Sequence, residues 1–227
     1  VYGDIGTSPL YVMKAMVSGL MPGGLYTDPD YIIGAISCVI WTLTIQTTVK
    51  YVVVTLRADN KGEGGILSLF ALIRKKYRWA YVIAIIGAAT LLADGIITPA
   101  ITVTSSIEGL NQVFPSIPIG LVTIVIILAL FLIQPLGTAR LGKSFGRVMF
   151  AWFLMLGVLG LISLFQYPAI IKAFNPYYAV KVLINVPDAF VILGAVFLCT
   201  TGAEALYSDL GHCGLRNIRI SWIFVKS

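Results

Sequence analysis

Four acidic residues stand within or at the edge of long apolar stretches of this chain: Asp4, Asp94, Glu108 and Glu204. An ionisable side chain at the centre of a bilayer costs about 2.5–3.5 kcal/mol on insertion scales, so acids in such places usually mark a path for ions or protons. The alternative for each is a structural acid, held at the membrane interface or paired with a cation. Glu108, near the end of its stretch, fits that alternative as well as it fits a functional role.

Asp94 heads a polar stripe in the segment LLADGIITPAITVTSSIEGL. At about 100° per residue, the oxygen-bearing side chains that follow return to within about 80° of its face. They are Thr98, Thr102, Ser105 and Glu108. Hydroxyls in membrane helices often only bond the carbonyl one turn earlier. A stripe headed by a carboxylate and broken by Pro99 nevertheless favours a path lined with water or ions.

The opening stretch VYGDIGTSPLYVMKA combines an acid with residues that weaken helices. These are Gly3, Gly6 and Pro9. We predict that they open the first membrane helix, as in transporters whose discontinuous helices bind substrate and coupling ions near the bilayer midplane. Asp4 would supply negative charge and Thr7 and Ser8 would supply oxygens, while Tyr11 returns to nearly the same face as Asp4. Such oxygen ligands suit hard cations. The alternative is a bent structural helix with Asp4 at its cytoplasmic edge.

A second set of polar groups surrounds small residues in the segment LCTTGAEALYSDLG. Thr200, Thr201 and Glu204 are next to Gly202 and Ala203. Small residues in membrane helices more often serve close packing than function. Because this glycine lies amid polar groups, the pattern predicts local unwinding of the helix.

The composition is that of a helical membrane protein, with 58% hydrophobic and 11% charged residues, against about a quarter charged in soluble domains. Most apolar residues form runs long enough to cross a bilayer, which takes about 20 residues as a helix. We therefore predict an all-α polytopic membrane protein. The net charge of +6 is attributed to cytoplasmic loops, and no nucleic-acid partner is expected. The three cysteines have no metal-ligand spacing, so we expect them to pack, without a cofactor.

Six membrane helices are predicted from these apolar runs. They span residues 1–20, 31–56, 81–110, 118–136, 146–167 and 187–209. An amphipathic helix near 66–78, which ends in basic residues, is expected to lie at the lipid headgroups. Together these helices form a single transmembrane domain over residues 1–227. We expect the chain to be a fragment that opens inside its first membrane segment.

Lysine and arginine alternate from loop to loop. Most of them follow the second, fourth and sixth spans, and the loops after the first and third spans contain none. Basic residues accumulate in cytoplasmic loops, so the N-terminus and the KGEGG loop are predicted to be cytoplasmic in a multi-pass protein of the plasma membrane. Gln46 and Lys50, inside the second span, are interpreted as packing or snorkelling groups.

Several motifs, in this order and spacing, resemble the potassium-uptake permease family (KUP/HAK/KT): VYGDIGTSPLY, NKGEGG, ADGIITPAI, EGL, NPYYA and TGAEALYSDLGH. The resemblance covers essentially the whole chain. It implies an inverted-repeat transporter of the amino acid–polyamine–organocation superfamily, with the LeuT-type fold. This chain would supply the first five-helix repeat and the start of the second.

The resemblance also implies roles for individual residues. Six positions match the potassium ligands of the family: Asp4, Tyr11, Asp94, Thr98, Thr102 and Thr201. Glu204 matches an acid implicated in ion or proton coupling, and Glu108 matches a second family acid near the extracellular end of the third helix. An amino-acid permease on this fold usually offers bare backbone amides to a substrate carboxylate. Asp4 would repel that carboxylate, so this first helix favours a cation.

We therefore expect a transporter, not an enzyme, that takes up potassium by secondary active transport with proton symport. Its partners would be potassium, protons and membrane lipid, with a homodimer implied by family analogy. One alternative is an amino-acid or polyamine permease of the same superfamily, because a polyamine would also tolerate Asp4. A potassium channel is another, although the sequence has no TVGYG-type filter. A third is a fragment with no transport of its own.

Overall fold

The structure, a computed structural model, describes residues 2–17, 28–77, 79–111, 113–133, 138–186 and 189–226. Within these ranges the regular elements are helices. They are α1 (Tyr2–Val17), α2 (Pro29–Arg57), α3 (Ile66–Ile73), α4 (Ala80–Asn111), α5 (Ile119–Ile133), α6 (Thr138–Gln166), α7 (Pro176–Asn185), α8 (Ala189–Phe197), α9 (Ala203–Ser208), α10 (Leu210–Cys213) and α11 (Leu215–Lys226). Short 3-10 segments, Pro168–Phe174 and Leu198–Thr200, precede α7 and follow α8.

Four helical stretches are long and apolar enough to cross a membrane: Pro29–Arg57, Ala80–Asn111, Phe145–Gln166 and Ala189–Ser208. α5 is apolar but has only 15 residues. The prediction of an all-α polytopic membrane protein is confirmed. Parts of the predicted helices lie outside the described residues: Val1, residues 18–20, Arg78, residues 134–136 and residues 187–188.

The course of α1 shows that the prediction of a first segment opened at its glycines and proline is wrong. α1 is one helix over Tyr2–Val17, with Pro9 inside it. A proline removes one hydrogen bond and crowds the carbonyls of the preceding turn. Here the indole Nε1 of Trp152 on α6 donates to the Gly6 carbonyl at 3.2 Å. Phe153 packs onto the α-carbon of Gly6, so α6 supports the helix at the place where proline weakens it.

α4 is likewise not broken at Pro99, contrary to the prediction, and forms a single helix over Ala80–Asn111. A proline ring crowds the carbonyl four residues earlier, which here belongs to Gly95. Gly95 has no other group within 4 Å of where a side chain would start, so its backbone has room to tilt. The polar stripe that begins at Asp94 therefore lies on one continuous helix.

α2 changes its winding along its length. It begins as an α-helix at Pro29, widens to a π-helix over Leu43–Val54 and ends in the 3-10 turn Thr55–Arg57. π-helical winding is rare and is frequently found at functional sites. In this chain the π-helical stretch carries Gln46 and Lys50, the two long polar side chains of the second span.

Two apolar clusters hold these helices together. The first packs α1 against α2, α7 and α8, with Val12, Met16 and Ile192 fully buried. The second joins α2 to α9, α10 and α11 and buries Leu56 and Trp222. α1 also contacts α4 and the 3-10 segment that follows α8. The packing therefore fixes α1 beside two other helices that carry acids.

The loop between α2 and α3 folds back onto α9. The Tyr207 hydroxyl donates to the Ala58 carbonyl. The α-carbon of Gly64 lies so close to the Tyr207 carbonyl that a side chain at Gly64 would clash. Gly65, at φ 92°, lies against Ser208. This glycine-rich loop therefore covers one end of the helix bundle.

Candidate cation-binding site

Asp94 and Thr98 form a hydrogen-bonded pair one turn apart on α4. Thr98 Oγ1 donates to Asp94 Oδ1 at 2.7 Å, and Thr98 is buried, with 8% of its surface exposed. Residues four apart are neighbours on a helix face, so the sequence spacing positions this bond. The bond holds the Asp94 carboxylate in one orientation on the inner face of α4.

Glu204, on α9, faces Asp94. Both carboxyl groups line the same cavity, and they are near enough for their charges to interact. Two ionised carboxylates at such a separation repel each other, unless a proton or a cation between them offsets the repulsion. The two side chains therefore form a place that can hold positive charge.

A break in the helix next to Glu204 confirms the predicted local unwinding. The 3-10 segment Leu198–Thr200 ends there, Thr201 is extended with ψ 137°, and Gly202 is left-handed with φ 84°. Only glycine adopts that conformation without strain. α9 begins directly afterwards at Ala203, so the break orients Glu204 as part of a new helix.

Asp4 is brought to the same break by α1. A Cβ atom on Gly202 would lie 3.0 Å from Asp4 Oδ2, so the carboxylate rests on the bare backbone of the break. Asp4 and Asp94 are close enough for their charges to interact. The structure therefore brings together acids from three separate membrane segments, Asp4, Asp94 and Glu204.

The predicted hydroxyl ligands lie at different distances from these acids: Thr201 adjoins the break, whereas Thr102 is about 12 Å beyond Asp94 along the axis of α4. Thr201 Oγ1 donates to the Leu198 carbonyl at 2.6 Å, across the turn that precedes the break. Thr102 Oγ1 is buried and has no hydrogen-bond partner among the described residues. A buried hydroxyl without a partner is costly, and the oxygen of this one could coordinate a cation. In the described part of the chain, the Thr102 hydroxyl, one turn beyond Thr98, therefore has no hydrogen-bond partner, and its oxygen is available as a ligand.

Tyr11 lies on the far side of the acids. Its hydroxyl donates to Ser8 Oγ at 2.9 Å and is near enough to Asp4 and Asp94 for an electrostatic interaction. Ser8 is fully buried. Sequence reasoning named Ser8 as an oxygen donor but did not include it in the site, although its position one turn before Tyr11 places both residues on one face.

Two cavities meet the site from opposite ends. The larger, of about 540 Å³, is lined by residues of α2, α3, α4 and the broken span; they include Gln46, Lys50, Tyr51, Asp94, Thr201 and Glu204. The smaller, of about 370 Å³, is lined by Tyr11, Lys14, Thr104, Ser105 and Glu108. The polar stripe of α4 is thus shared between two cavities, with Thr98 buried between them.

Glu108 is separate from the other acids. Its Oε2 lies 3.0 Å from Lys14 Nζ, and both side chains are just under half exposed. The structure therefore places Glu108 in the smaller cavity with a lysine from α1 and does not bring it to Glu204.

Gln46, Lys50 and Tyr51 belong to the wall of the larger cavity, although the sequence analysis left them out of the site. Lys50 Nζ lies 5.2 Å from the centre of the Tyr51 ring. The signal was the spacing of Gln46 and Lys50, which are polar and four apart in an apolar span. What the sequence did not reveal was the π-helical winding that turns this face towards α4.

Comparison with known sequences decides the family. The K+ potassium transporter integral membrane domain matches residues 1–227 of the chain. This chain belongs to the K+ transporter family. The family membership predicted from the motifs is therefore confirmed.

Relatives in this K+ transporter family are similar along the whole chain. The chain is 56% identical to the probable potassium transport system protein Kup of Flavobacterium johnsoniae and covers 34% of that protein. It is 58% identical to the protein of the same description from Cytophaga hutchinsonii, covering 34% of it, and 52% identical to one from Clostridium perfringens, covering 36%. All of the chain aligns in each case, so the chain spans about a third of the length of these curated relatives. No solved structure matches it.

Proposed function

We propose that the protein containing this chain takes up potassium across the cell membrane by secondary active transport, as a proton symporter. The observation that carries the proposal is the convergence of Asp4, Asp94 and Glu204 on the helix break at Gly202. Carboxylates within membrane segments are costly unless a positive charge accompanies them. The relatives named as potassium transport system proteins support potassium as that charge.

The proposed cation site takes oxygens from three segments. Its ligands are Asp4, Tyr11, Asp94, Thr98, Thr102 and Thr201. A dehydrated monovalent cation needs several oxygens of moderate field strength in place of its water. Hydroxyls with spare lone pairs, such as the unpartnered Thr102 Oγ1, meet that need beside the acids. Among the described residues, no group of three or more His, Cys, Asp or Glu side chains is arranged to hold a metal ion, so hydroxyls and carbonyls complete the proposed shell.

Glu204 is the proposed proton carrier. It lies near Asp94, and Tyr11, Tyr51 and Asp4 each lie near one or other of the two acids. Lys50 lines the same cavity as the two acids. A proton on Glu204 relieves the repulsion within the pair while potassium occupies the oxygens of Asp94 and Asp4. Glu108 is the second candidate for this role. Its ion pair with Lys14 already gives it a counter-charge, which favours Glu204.

We further propose the LeuT-type inverted-repeat fold, with residues 1–227 forming one transmembrane domain that contains the first repeat and the start of the second. The break at Gly202 supports this assignment, because transporters of this kind bind ions at discontinuous helices near the midplane. The distribution of basic residues supports a cytoplasmic N-terminus. The larger cavity, which reaches Gly65 of the glycine-rich loop, would then open to the cytoplasm. A homodimer is proposed from family resemblance alone.

Rubidium uptake by the full-length protein, in cells without other potassium-uptake systems, tests the proposal. We expect Asp4→Asn and Asp94→Asn to reduce uptake at least tenfold at equal expression. Asp30→Asn is the matched control, since Asp30 is an exposed acid that pairs with Lys181 at 2.7 Å. Wild-type uptake in both site variants would overturn the ion-site assignment.

Two further measurements separate the alternatives. Putrescine that competes with rubidium would indicate a polyamine permease. Potassium entry without acidification of the cell would indicate a channel or another uncoupled pathway, because proton symport must carry acid inward together with potassium.

A further inference from the structure

We infer that the ion pair between Lys14 and Glu108 is a gate on the cation pathway, closing it at the end of the bundle away from the glycine-rich loop. The inference rests on the proposed transport function and adds to it a residue, Lys14, to which no role was assigned from the sequence. Lys14 is on α1 and Glu108 is on α4, so the pair connects the two helices that carry Asp4 and Asp94. Their joining atoms, Nζ and Oε2, are 3.0 Å apart.

The position of the pair along α1 and α4, away from Asp4 and Asp94, suits a gate. Glu108 is 14 residues beyond Asp94 on one continuous helix, which corresponds to about 21 Å along the axis. Lys14 is ten residues beyond Asp4 on α1, or about 15 Å. Both side chains are therefore displaced from the acids in the same direction, and the cavity on the other side of the acids reaches the glycine-rich loop.

The pair also lies within the path itself. Lys14 and Glu108 both line the smaller cavity, together with Tyr11, Thr104 and Ser105. Tyr11, in turn, is close enough to Asp4 and Asp94 for an electrostatic interaction. A cation that enters this cavity on the way to Tyr11 and the acids would therefore pass beside the two side chains.

The charges of the pair explain how it would open and close. A lysine in the entrance repels an incoming cation, whereas the Glu108 carboxylate attracts one, so an arriving cation competes with Lys14 for Glu108. Exposed ion pairs are weak, and each of these side chains is just under half exposed. The contact can therefore break and re-form in each transport cycle, which a buried pair could not do easily.

A second ion pair in the chain provides a matched control. Lys181 Nζ lies 2.7 Å from Asp30 Oδ2, with 39% and 57% of the two side chains exposed. It joins α7 to the start of α2 and does not line either of the two cavities of the site. It has the same chemistry as the Lys14–Glu108 pair but lies off the proposed path.

The experiment measures access to the smaller cavity in the full-length protein. Thr104, which lines this cavity, is replaced by cysteine in a background in which the native cysteines, including the exposed Cys213, are replaced by serine. The protein is reconstituted in lipid nanodiscs, where both faces are accessible, and is treated with an uncharged, water-soluble methanethiosulfonate, whose rate does not depend directly on the local charge. We expect Lys14→Met and Glu108→Gln to raise the labelling rate about tenfold. We expect Lys181→Met to leave it unchanged.

The swapped variant, Lys14→Glu with Glu108→Lys, is the control that distinguishes loss of the ion pair from misfolding. It re-forms an ion pair at the same place, so we expect it to return the labelling rate to within twofold of the parent. Unchanged labelling in the single variants, equal acceleration by Lys181→Met, or a swap that labels as fast as the single variants would each overturn the gate. Rubidium uptake, measured separately, decides the transport function, so the two proposals fail independently.

Discussion

The carboxylate of Asp4 rests on the α-carbon of Gly202, and a side chain at that position would start 3.0 Å from Asp4 Oδ2. The contact joins residues almost two hundred positions apart in the chain. It brings the negative charge of α1 to the place where the sixth predicted span changes direction, and it makes the glycine necessary for two reasons. One is the left-handed backbone, with φ 84°, and the other is the space that the carboxylate occupies.

Gly202→Ala should therefore impair transport strongly. Alanine in the left-handed region costs about 1–2 kcal/mol, and its methyl group would also displace Asp4. We expect the apparent affinity for rubidium to fall at least tenfold, measured as the KM of uptake at equal expression. Gly194→Ala is the control, because Gly194 has nothing within 4 Å of its Cβ position. If the two variants transport equally well, Asp4 does not bind the cation at this break.

Thr102→Val tests whether the Thr102 hydroxyl, which has no hydrogen-bond partner among the described residues, is a ligand of the cation. Thr102 Oγ1 and Thr123 Oγ1 are both buried without a partner among the described residues, but only Thr102 follows Asp94 and Thr98 on α4. We expect Thr102→Val to raise the KM for rubidium several-fold and Thr123→Val to leave it unchanged. Neither change should lower the melting temperature, since no hydrogen bond between described groups is lost. An equal effect of both variants on KM would argue against a ligand role for Thr102.

Glu204→Gln should uncouple transport from the proton. Uptake by a proton symporter rises as the external pH falls, because the driving ion becomes more abundant. With an amide at position 204 the proton has lost its proposed carrier, so we expect rubidium uptake to become nearly independent of external pH over an assay range of about 5 to 8. Glu63→Gln, a change at an exposed acid in the glycine-rich loop, should keep the parental pH profile. A parental pH profile in Glu204→Gln would mean that another residue carries the proton.

Gly64→Ala should destabilise the end of the bundle that the glycine-rich loop covers. The new methyl group would meet the backbone carbonyl of Tyr207, and overpacking of this kind typically costs about 1–3 kcal/mol. We expect a melting temperature several degrees lower in detergent, read from intrinsic fluorescence. Gly146→Ala, on the open surface of α6, should melt like the parent. A stable Gly64→Ala protein would mean that the loop does not pack closely against α9.

The sequence predicted those features that depend on hydrophobic length and on local spacing. The long helices α4 and Ala189–Ser208 follow from apolar runs that only a membrane-crossing helix explains. The bond from Thr98 to Asp94 follows from a separation of four residues. The unwinding at Gly202 follows from a glycine placed among polar groups.

Other features depend on contacts between distant residues and could not be derived in the same way. The integrity of α1 involves Trp152, which reaches the Gly6 carbonyl from α6, and no local rule connects positions 6 and 152. The facing of Asp94 and Glu204 and the pairing of Lys14 with Glu108 likewise depend on how whole helices pack. Sequence patterns identified the acids, but only the packing shows which of them lie together.

Because α1 is a single helix rather than two halves, Asp4 and Lys14 belong to the same rigid element and move together. On the proposed mechanism, a tilt of α1 that separates Lys14 from Glu108 would also shift Asp4 against Gly202, about 15 Å away along the helix. Opening of the proposed gate and release of the ion would then be one movement of α1, with no hinge needed between them.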